Sequence, residues 1–125
     1  MRYLVFIYYM FTSAVVLTAQ QDTVYIWVDG LCGMCKNRIE KEALKVVGVG
    51  VVNYNVFKII LSVVPSSLKF DNDNLQKAIA GIGHDTEKYK ADSLVYESLH
   101  ECCHYRDPQL RADHIEKLDA SATVS

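Results

Sequence analysis

The stretch GLCGMCKNRIEKE, residues 30–42, joins a glycine turn to two cysteines and then to a segment of helical character. Two residues separate Cys32 from Cys35, a spacing found in redox couples, in halves of structural zinc sites and in open thiolate pairs for soft metal ions. Unpaired amide groups and the helix dipole at the start of the segment favour the thiolate form. Thiolates serve both metal capture and redox exchange, so the pair alone leaves both functions open.

The segments on either side predict a strand, a helix and a hairpin. Residues 23–29 alternate apolar and aromatic side chains with the period of a strand. Apolar positions recur at helical spacing from Met34 to Val47, and Gly48 is a natural end for that helix. Residues 49–64 hold two β-rich runs around residues 53–55, which predicts a hairpin with a short loop there.

Two more elements complete the predicted domain. Acidic and amide residues at 71–74 offer N-caps to a helix over residues 75–82, which glycines end. A lysine-rich stretch, residues 86–91, predicts a last edge strand. The order strand, helix, strand, strand, helix, strand predicts an α+β, ferredoxin-like βαββαβ fold. Such a fold has a four-stranded antiparallel sheet with both helices on one face.

The two ends of the chain differ from this domain. Residues 1–19 carry one charge before an apolar run that ends in small residues. This pattern predicts a secretory signal peptide cleaved near Ala19, with an uncleaved membrane anchor as the alternative. We expect residues 20–92 to form the domain and residues 93–125 a C-terminal extension with a Cys/His cluster and a short helix opened by Pro108. The mature protein is expected in the periplasm if the source is a Gram-negative bacterium, without stable membrane insertion.

The charge balance argues against a nucleic-acid partner. The chain has 13 Lys and Arg against 15 Asp and Glu, whereas nucleic-acid binding rests on a basic surface that displaces counterions. All four cysteines, Cys32, Cys35, Cys102 and Cys103, lie in the part expected to be exported. Disulfides can form in such a compartment, but the arrangement as two close pairs favours metal or redox chemistry.

Residues 23–91 resemble the heavy-metal-associated domain family, which contains metallochaperone-like modules. The family's motif places a glycine, a hydrophobic residue and a Cys-x-x-Cys between its first strand and first helix, and residues 30–32 with Cys35 match it. The loop is one residue shorter here, and leucine stands where the family has methionine. The family also has an aromatic residue, a lysine or a histidine after its second helix that faces the cysteines, and the resemblance implies this place for His84.

The resemblance implies a metal carrier that is not an enzyme. Such a protein captures a soft ion through Cys32 and Cys35 and hands it to a metal-transporting or metal-accepting protein by ligand exchange. Cu(I) is the first expectation, because soft d¹⁰ ions prefer thiolates over oxygen ligands, and Hg(II) and Zn(II) follow. His84 is either a third ligand or a plain solvent-facing loop histidine.

The tail segment HECCH, residues 100–104, holds further potential metal ligands. Adjacent cysteines do not easily bridge one another without strain, so a Cys102–Cys103 disulfide is the weaker alternative to three other arrangements. One tail cysteine pairs with the Cys-x-x-Cys on oxidation, or the tail folds across the domain and donates Cys102 or Cys103 to the metal site. In the third, the two cysteines form a second site with His100 and His104.

Two rival functions share these cysteines. A thiol–disulfide redox protein would cycle Cys32 and Cys35, with a tail cysteine as the resolving thiol. Against it, the two prolines of the chain, Pro65 and Pro108, lie at a strand exit and in the tail, whereas thioredoxin-like enzymes place a proline opposite the pair. Lys36 in place of histidine excludes the usual haem-attachment motif. A structural module of an envelope assembly would use the cysteines for disulfides alone.

Overall fold

The computed structural model describes residues 22–123, so the predicted signal peptide lies outside the described residues. The domain contains β1 (Val24–Trp27), α1 (Gly33–Leu44), β2 (Val49–Asn55), β3 (Ile60–Pro65) and α2 (Asn72–Gly81). The tail adds α3 (Ser93–Glu97), a 3₁₀ turn (Glu101–Cys103) and α4 (Pro108–Thr123). None of the described helices combines the length and the apolar character needed to cross a bilayer.

The sheet is antiparallel with the strand order β1-β3-β2. Leu61 of β3 lies opposite Ile26 of β1 and Tyr54 of β2, and all three side chains are buried. Ile39 of α1 and Ile79 of α2 belong to the same core, which accounts for the apolar spacing of both helices. The alternation predicted for residues 23–29 is therefore the inward and outward alternation of β1.

The tail shares this core. Leu99, Cys103 and Tyr105 are buried and belong to the same apolar cluster as the sheet and the two helices of the domain. Tyr96 and Leu110 pack against the cluster from α3 and α4. The last helix spans 16 residues and is longer than the short helix predicted after residue 107.

The predicted fourth strand, residues 86–91, is not a strand, and the sheet among residues 22–123 has three strands. Thr86 makes an isolated antiparallel bridge with Val28, and the chain then curls, because the amide of Thr86 donates to the carbonyl of Tyr89 at 2.8 Å. On the edge of β1, the amide of Trp27 donates to the Glu87 carboxylate at 2.8 Å. A side chain thus satisfies an edge donor that a fourth strand would otherwise pair.

The hairpin turn also differs from its predicted place. Residues 53–55 end β2, and the turn occupies residues 56–59. The Asn55 side chain accepts hydrogen bonds from the amides of Phe57 and Lys58, each at 2.9 Å. These bonds stabilise a turn that begins after Asn55 and not at residue 53. The first helix was predicted to reach Val47, but it ends at Leu44.

Gly48 fixes the turn between α1 and β2. Its φ is +84°, and an added Cβ would lie 2.3 Å from the amide nitrogen of Phe70. We expect Gly48→Ala to lower the free energy of unfolding by about 2–3 kcal/mol, from left-handed strain and overlap with backbone. Gly81→Ala is the matched control, because nothing lies within 4 Å of an added Cβ there. Urea unfolding followed by circular dichroism tests this, and equal midpoints for the two variants would contradict it.

Candidate metal centre

The loop between β1 and α1 presents the first cysteine pair. Cys32 is the N-cap residue of α1 in an extended conformation, and Cys35 lies in the first turn with 0% of its surface exposed. Gly30 is required behind them, because a Cβ there would come within 2.9 Å of the Tyr54 hydroxyl. That hydroxyl donates to the carbonyl of Val28 at 2.7 Å and closes the base of the loop.

The 3₁₀ turn of the tail brings the second cysteine pair to the first. The Cys32 Sγ lies 3.6 Å from the Cys35 Sγ, 3.3 Å from the Cys102 Sγ and 3.7 Å from the Cys103 Sγ. The sulfurs of Cys32, Cys102 and Cys103 all lie within 4.8 Å of one another, a spacing that could hold a metal ion. All four cysteines are free thiols. We call these four residues the sulfur cluster.

Tyr105 ties the tail to the domain. Its hydroxyl donates to the carbonyl of Gly83 at 2.7 Å and accepts from the amide of Asp85 at 2.9 Å. The ring stacks on His84, with centroids 5.6 Å apart, and meets the Tyr96 ring edge-on at 5.0 Å. Tyr105 lies two residues after Cys103, the last residue of the 3₁₀ turn, so this anchor fixes the positions of the tail sulfurs.

Two arginines reinforce the same attachment. Arg106 donates to the Asp85 carboxylate at 2.7 Å and to the carbonyl of Ala91 at 2.8 Å. Burial opposes ionisation of Asp85, but the Arg106 hydrogen bond and charge keep the pKa of this carboxyl below its ordinary value. Arg111 of α4 pairs with Asp29, which directly precedes Gly30 of the loop between β1 and α1. The attachment therefore reaches the loop that carries Cys32.

Hydrogen bonding and burial give different acidities to the thiols of Cys35, Cys103 and Cys32. The hydrogen bond from Cys103 lowers the pKa of Cys35 to about 5, and the backbone amides of Leu31 and Cys32 act in the same direction. The same hydrogen bond and burial raise the pKa of Cys103. Burial raises the pKa of Cys32 to about 11. Of these three thiols, Cys35 is therefore the first to ionise, and Cys103 is the neutral donor beside it.

His84 is buried, so the solvent-facing alternative is wrong for this residue. Its Nδ1 hydrogen-bonds the carbonyl of Asp29 at 2.8 Å, whereas its Nε2 is buried without a hydrogen-bond partner. Burial lowers the pKa of the imidazole, and the Cys35 charge opposes that shift. In the described part of the chain, the group of ligand atoms spaced for a metal ion consists of cysteines and does not include His84.

The two tail histidines stand apart from that group as well. His100 accepts the amide of Cys102 through its Nδ1 at 3.3 Å and so caps the 3₁₀ turn. The His104 ring lies against Tyr96, with centroids 5.2 Å apart. Cys102 and Cys103 are thus placed against Cys32 and not in a separate site with the histidines.

One sulfur near the cluster escaped the sequence reasoning. Met34, between the two cysteines of the motif, places its Sδ 3.4 Å from the Cys102 Sγ. The signal was present in the sequence, since a methionine inside a Cys-x-x-Cys adds a soft thioether to the pair. The contact of this thioether with the Cys102 sulfur could not be predicted, because residues 34 and 102 are far apart in the chain.

Comparison with known proteins gives a limited likeness. No protein-family model matches the sequence, and no curated protein matches it. Among solved structures, a CopZ metallochaperone is 26% identical with a TM-score of 0.49, and the match covers 52% of this chain and 98% of that one. A candidate copper-ion-binding protein from Bacillus anthracis str. Ames is 24% identical with a TM-score of 0.49, covering 53% and 94%.

Proposed function

We propose that this protein is an exported carrier of a soft metal ion, which it receives at the sulfur cluster and passes to an acceptor protein by ligand exchange. Cu(I) is the preferred ion, with Hg(II) and Zn(II) next. The observation that carries the proposal is the spacing of the Cys32, Cys102 and Cys103 sulfurs, all within 4.8 Å of one another. Export rests on the composition of residues 1–19, and no catalytic turnover is proposed.

The donor set suits a soft ion. Thiolate sulfur favours Cu(I), whereas Mg²⁺ and Ca²⁺ take carboxylate and carbonyl oxygens. Cys35 supplies a thiolate at neutral pH, because its pKa is lowered to about 5. The other cysteines lose their protons to solvent as sulfur–metal bonds form, so binding releases protons.

The burial pattern suits transfer. Cys35 and Cys103 are fully buried, whereas Cys32 and Cys102 are half-buried and face the accessible side of the cluster. A thiolate of an acceptor can therefore bond the ion at the Cys32 and Cys102 side while a cluster sulfur leaves it. Each such exchange forms one metal–sulfur bond and breaks one, so the ion is not released to water between the two proteins.

A redox function is the second candidate, favoured by the 3.3 Å separation of the Cys32 and Cys102 sulfurs. Thiol–disulfide exchange with a protein disulfide would join these two sulfurs and leave the substrate as two thiols, with no net loss of electrons from the pair of proteins. A disulfide-reduction assay distinguishes this function. Turnover that Cys32→Ser abolishes, in a protein without Cu(I) affinity, would support the redox candidate.

An anaerobic Cu(I) titration against a competing chelator tests the proposal on the reduced protein. We expect one ion per chain to bind tightly in the wild type, with tight binding lost in Cys32→Ser/Cys35→Ser. Cys102→Ser/Cys103→Ser should weaken affinity by about tenfold or more, as loss of supporting ligands does at metal sites. Ser66→Ala/Ser67→Ala, in the loop after β3, is the control for a double substitution and should match wild type. Equal, weak binding by wild type and all variants would refute the carrier function.

A further inference from the structure

A line of closely spaced sulfur atoms leads from the buried cysteines to Met34 at the protein surface. The Met34 side chain is 47% exposed, and its Sδ lies 3.4 Å from the Cys102 Sγ. Cys102 lies 3.3 Å from Cys32, and Cys32 lies 3.6 Å from the fully buried Cys35. Neighbouring sulfurs along this line are thus within 4 Å of one another, from an exposed thioether to a buried cysteine.

Two independent elements hold Met34 at the outer end of this line. It is the second residue of α1, between the two motif cysteines, so the helix backbone fixes its distance from both. The tail brings Cys102 over it through the 3₁₀ turn, which Tyr105 anchors. The thiol of Cys102 donates toward the Met34 sulfur, so the thioether lone pair faces the cluster.

A thioether discriminates between metal ions in a way that a further thiolate does not. It is soft and neutral, so it binds Cu(I) without adding negative charge. Zn(II) takes thiolates, imidazoles and carboxylates. In residues 22–123, the group of ligand atoms spaced for a metal contains no imidazole and no carboxylate, so a thioether is the extra donor within reach.

We infer that Met34 is a specificity-determining residue, whose thioether contacts the ion at the exposed side of the sulfur cluster and favours Cu(I) over Zn(II). This inference rests on the proposed soft-metal function. It assigns to the methionine a role beyond covering Cys102 with apolar surface. If cover were its whole role, leucine would serve equally well, because leucine and methionine exchange in packed sites at small cost.

The test uses full-length, reduced protein labelled with ¹³C at the methionine methyl groups. The Met34 signal is identified by its loss in Met34→Leu, and in Met34→Gln should the leucine variant not fold. In wild type we expect this signal to shift on addition of one equivalent of Cu(I) under anaerobic conditions and to stay in place with Zn(II). In competition between the two ions, Met34→Leu should lower the preference for Cu(I) by about tenfold, with Leu94→Met, at an exposed site of α3, as the control that leaves it unchanged.

The outcomes separate the inference from the proposed function. If wild type binds Cu(I) tightly but the Met34 methyl signal stays in place, the role of Met34 is refuted and the carrier function stands. The same conclusion follows if Cu(I) and Zn(II) shift the signal equally, or if Met34→Leu keeps the wild-type preference. If wild type binds no Cu(I), the carrier function and the inference fall together.

Discussion

Replacement of Tyr105 by alanine is expected to lower the free energy of unfolding by about 3–5 kcal/mol, the usual loss for a large buried aromatic residue. The Tyr105 side chain is almost fully buried in the common core. Its hydroxyl also makes two hydrogen bonds to the loop after α2, to Gly83 and Asp85. Because Cys103 lies two residues away, we expect the variant to lose protection of this thiol together with its stability.

Urea unfolding and alkylation of thiols under native conditions measure both effects. Tyr105→Phe keeps the ring and loses the hydroxyl, so it should cost about 1–3 kcal/mol from the unpaired polar groups that remain. Tyr25→Ala, on the exposed face of the sheet, is the control and should cost about 1 kcal/mol or less. A Tyr105→Ala protein with the wild-type midpoint and a protected Cys103 would show that the tail is not part of the cooperative fold.

Replacement of Cys103 by alanine is expected to raise the pKa of Cys35 from about 5 toward the ordinary range of a thiol. The hydrogen bond from Cys103 is the first cause of the low value, and alanine removes it without adding a charge. Cys102→Ala is the matched control, because Cys102 hydrogen-bonds Cys32 at 3.3 Å, and the Cys35 midpoint should stay low in that variant.

Thiolate absorbance followed across a pH titration gives the midpoint of Cys35 ionisation.

The ionisation of Cys35 also makes the stability of the fold depend on pH. Since the folded pKa of Cys35 lies below its unfolded value, its stabilising contribution is complete above the unfolded pKa and is lost as the pH falls toward 5. This loss should be absent in Cys103→Ala. Equal ionisation midpoints of Cys35 in wild type and Cys103→Ala would contradict both the predicted pKa change and the predicted difference in pH-dependent stability.

Local sequence patterns predicted most of the domain because they report local physics. The alternation of residues 23–29, the helical spacing after Met34 and the caps at residues 71–74 became β1, α1 and α2. The edge strand at 86–91 was predicted from composition, but the choice between strand and turn depended on partners far along the chain. The Glu87 carboxylate accepts a hydrogen bond from the edge amide of Trp27, and Arg106 of the tail donates to the Asp85 carboxylate.

The candidate site was accessible to sequence reasoning in its parts but not in its arrangement. The cysteine spacing identified Cys32 and Cys35, and the tail cysteines stood out as a cluster. The contact between the two pairs depends on the Tyr105 anchor and the Arg106 ion pair, which no local pattern encodes. His84 shows the same limit, since its burial follows from the ring that stacks on it.

Under the proposed carrier function, two of the four sulfurs that hold the ion, those of Cys102 and Cys103, come from a tail tethered to the domain that supplies the other two. A tethered group acts at an effective concentration in the millimolar range when its linker allows docking. A free small-molecule thiol at micromolar concentration therefore competes poorly with Cys102 and Cys103. Under the same proposal, an acceptor that displaces the docked tail would remove two of the four sulfurs from the ion and so favour its transfer.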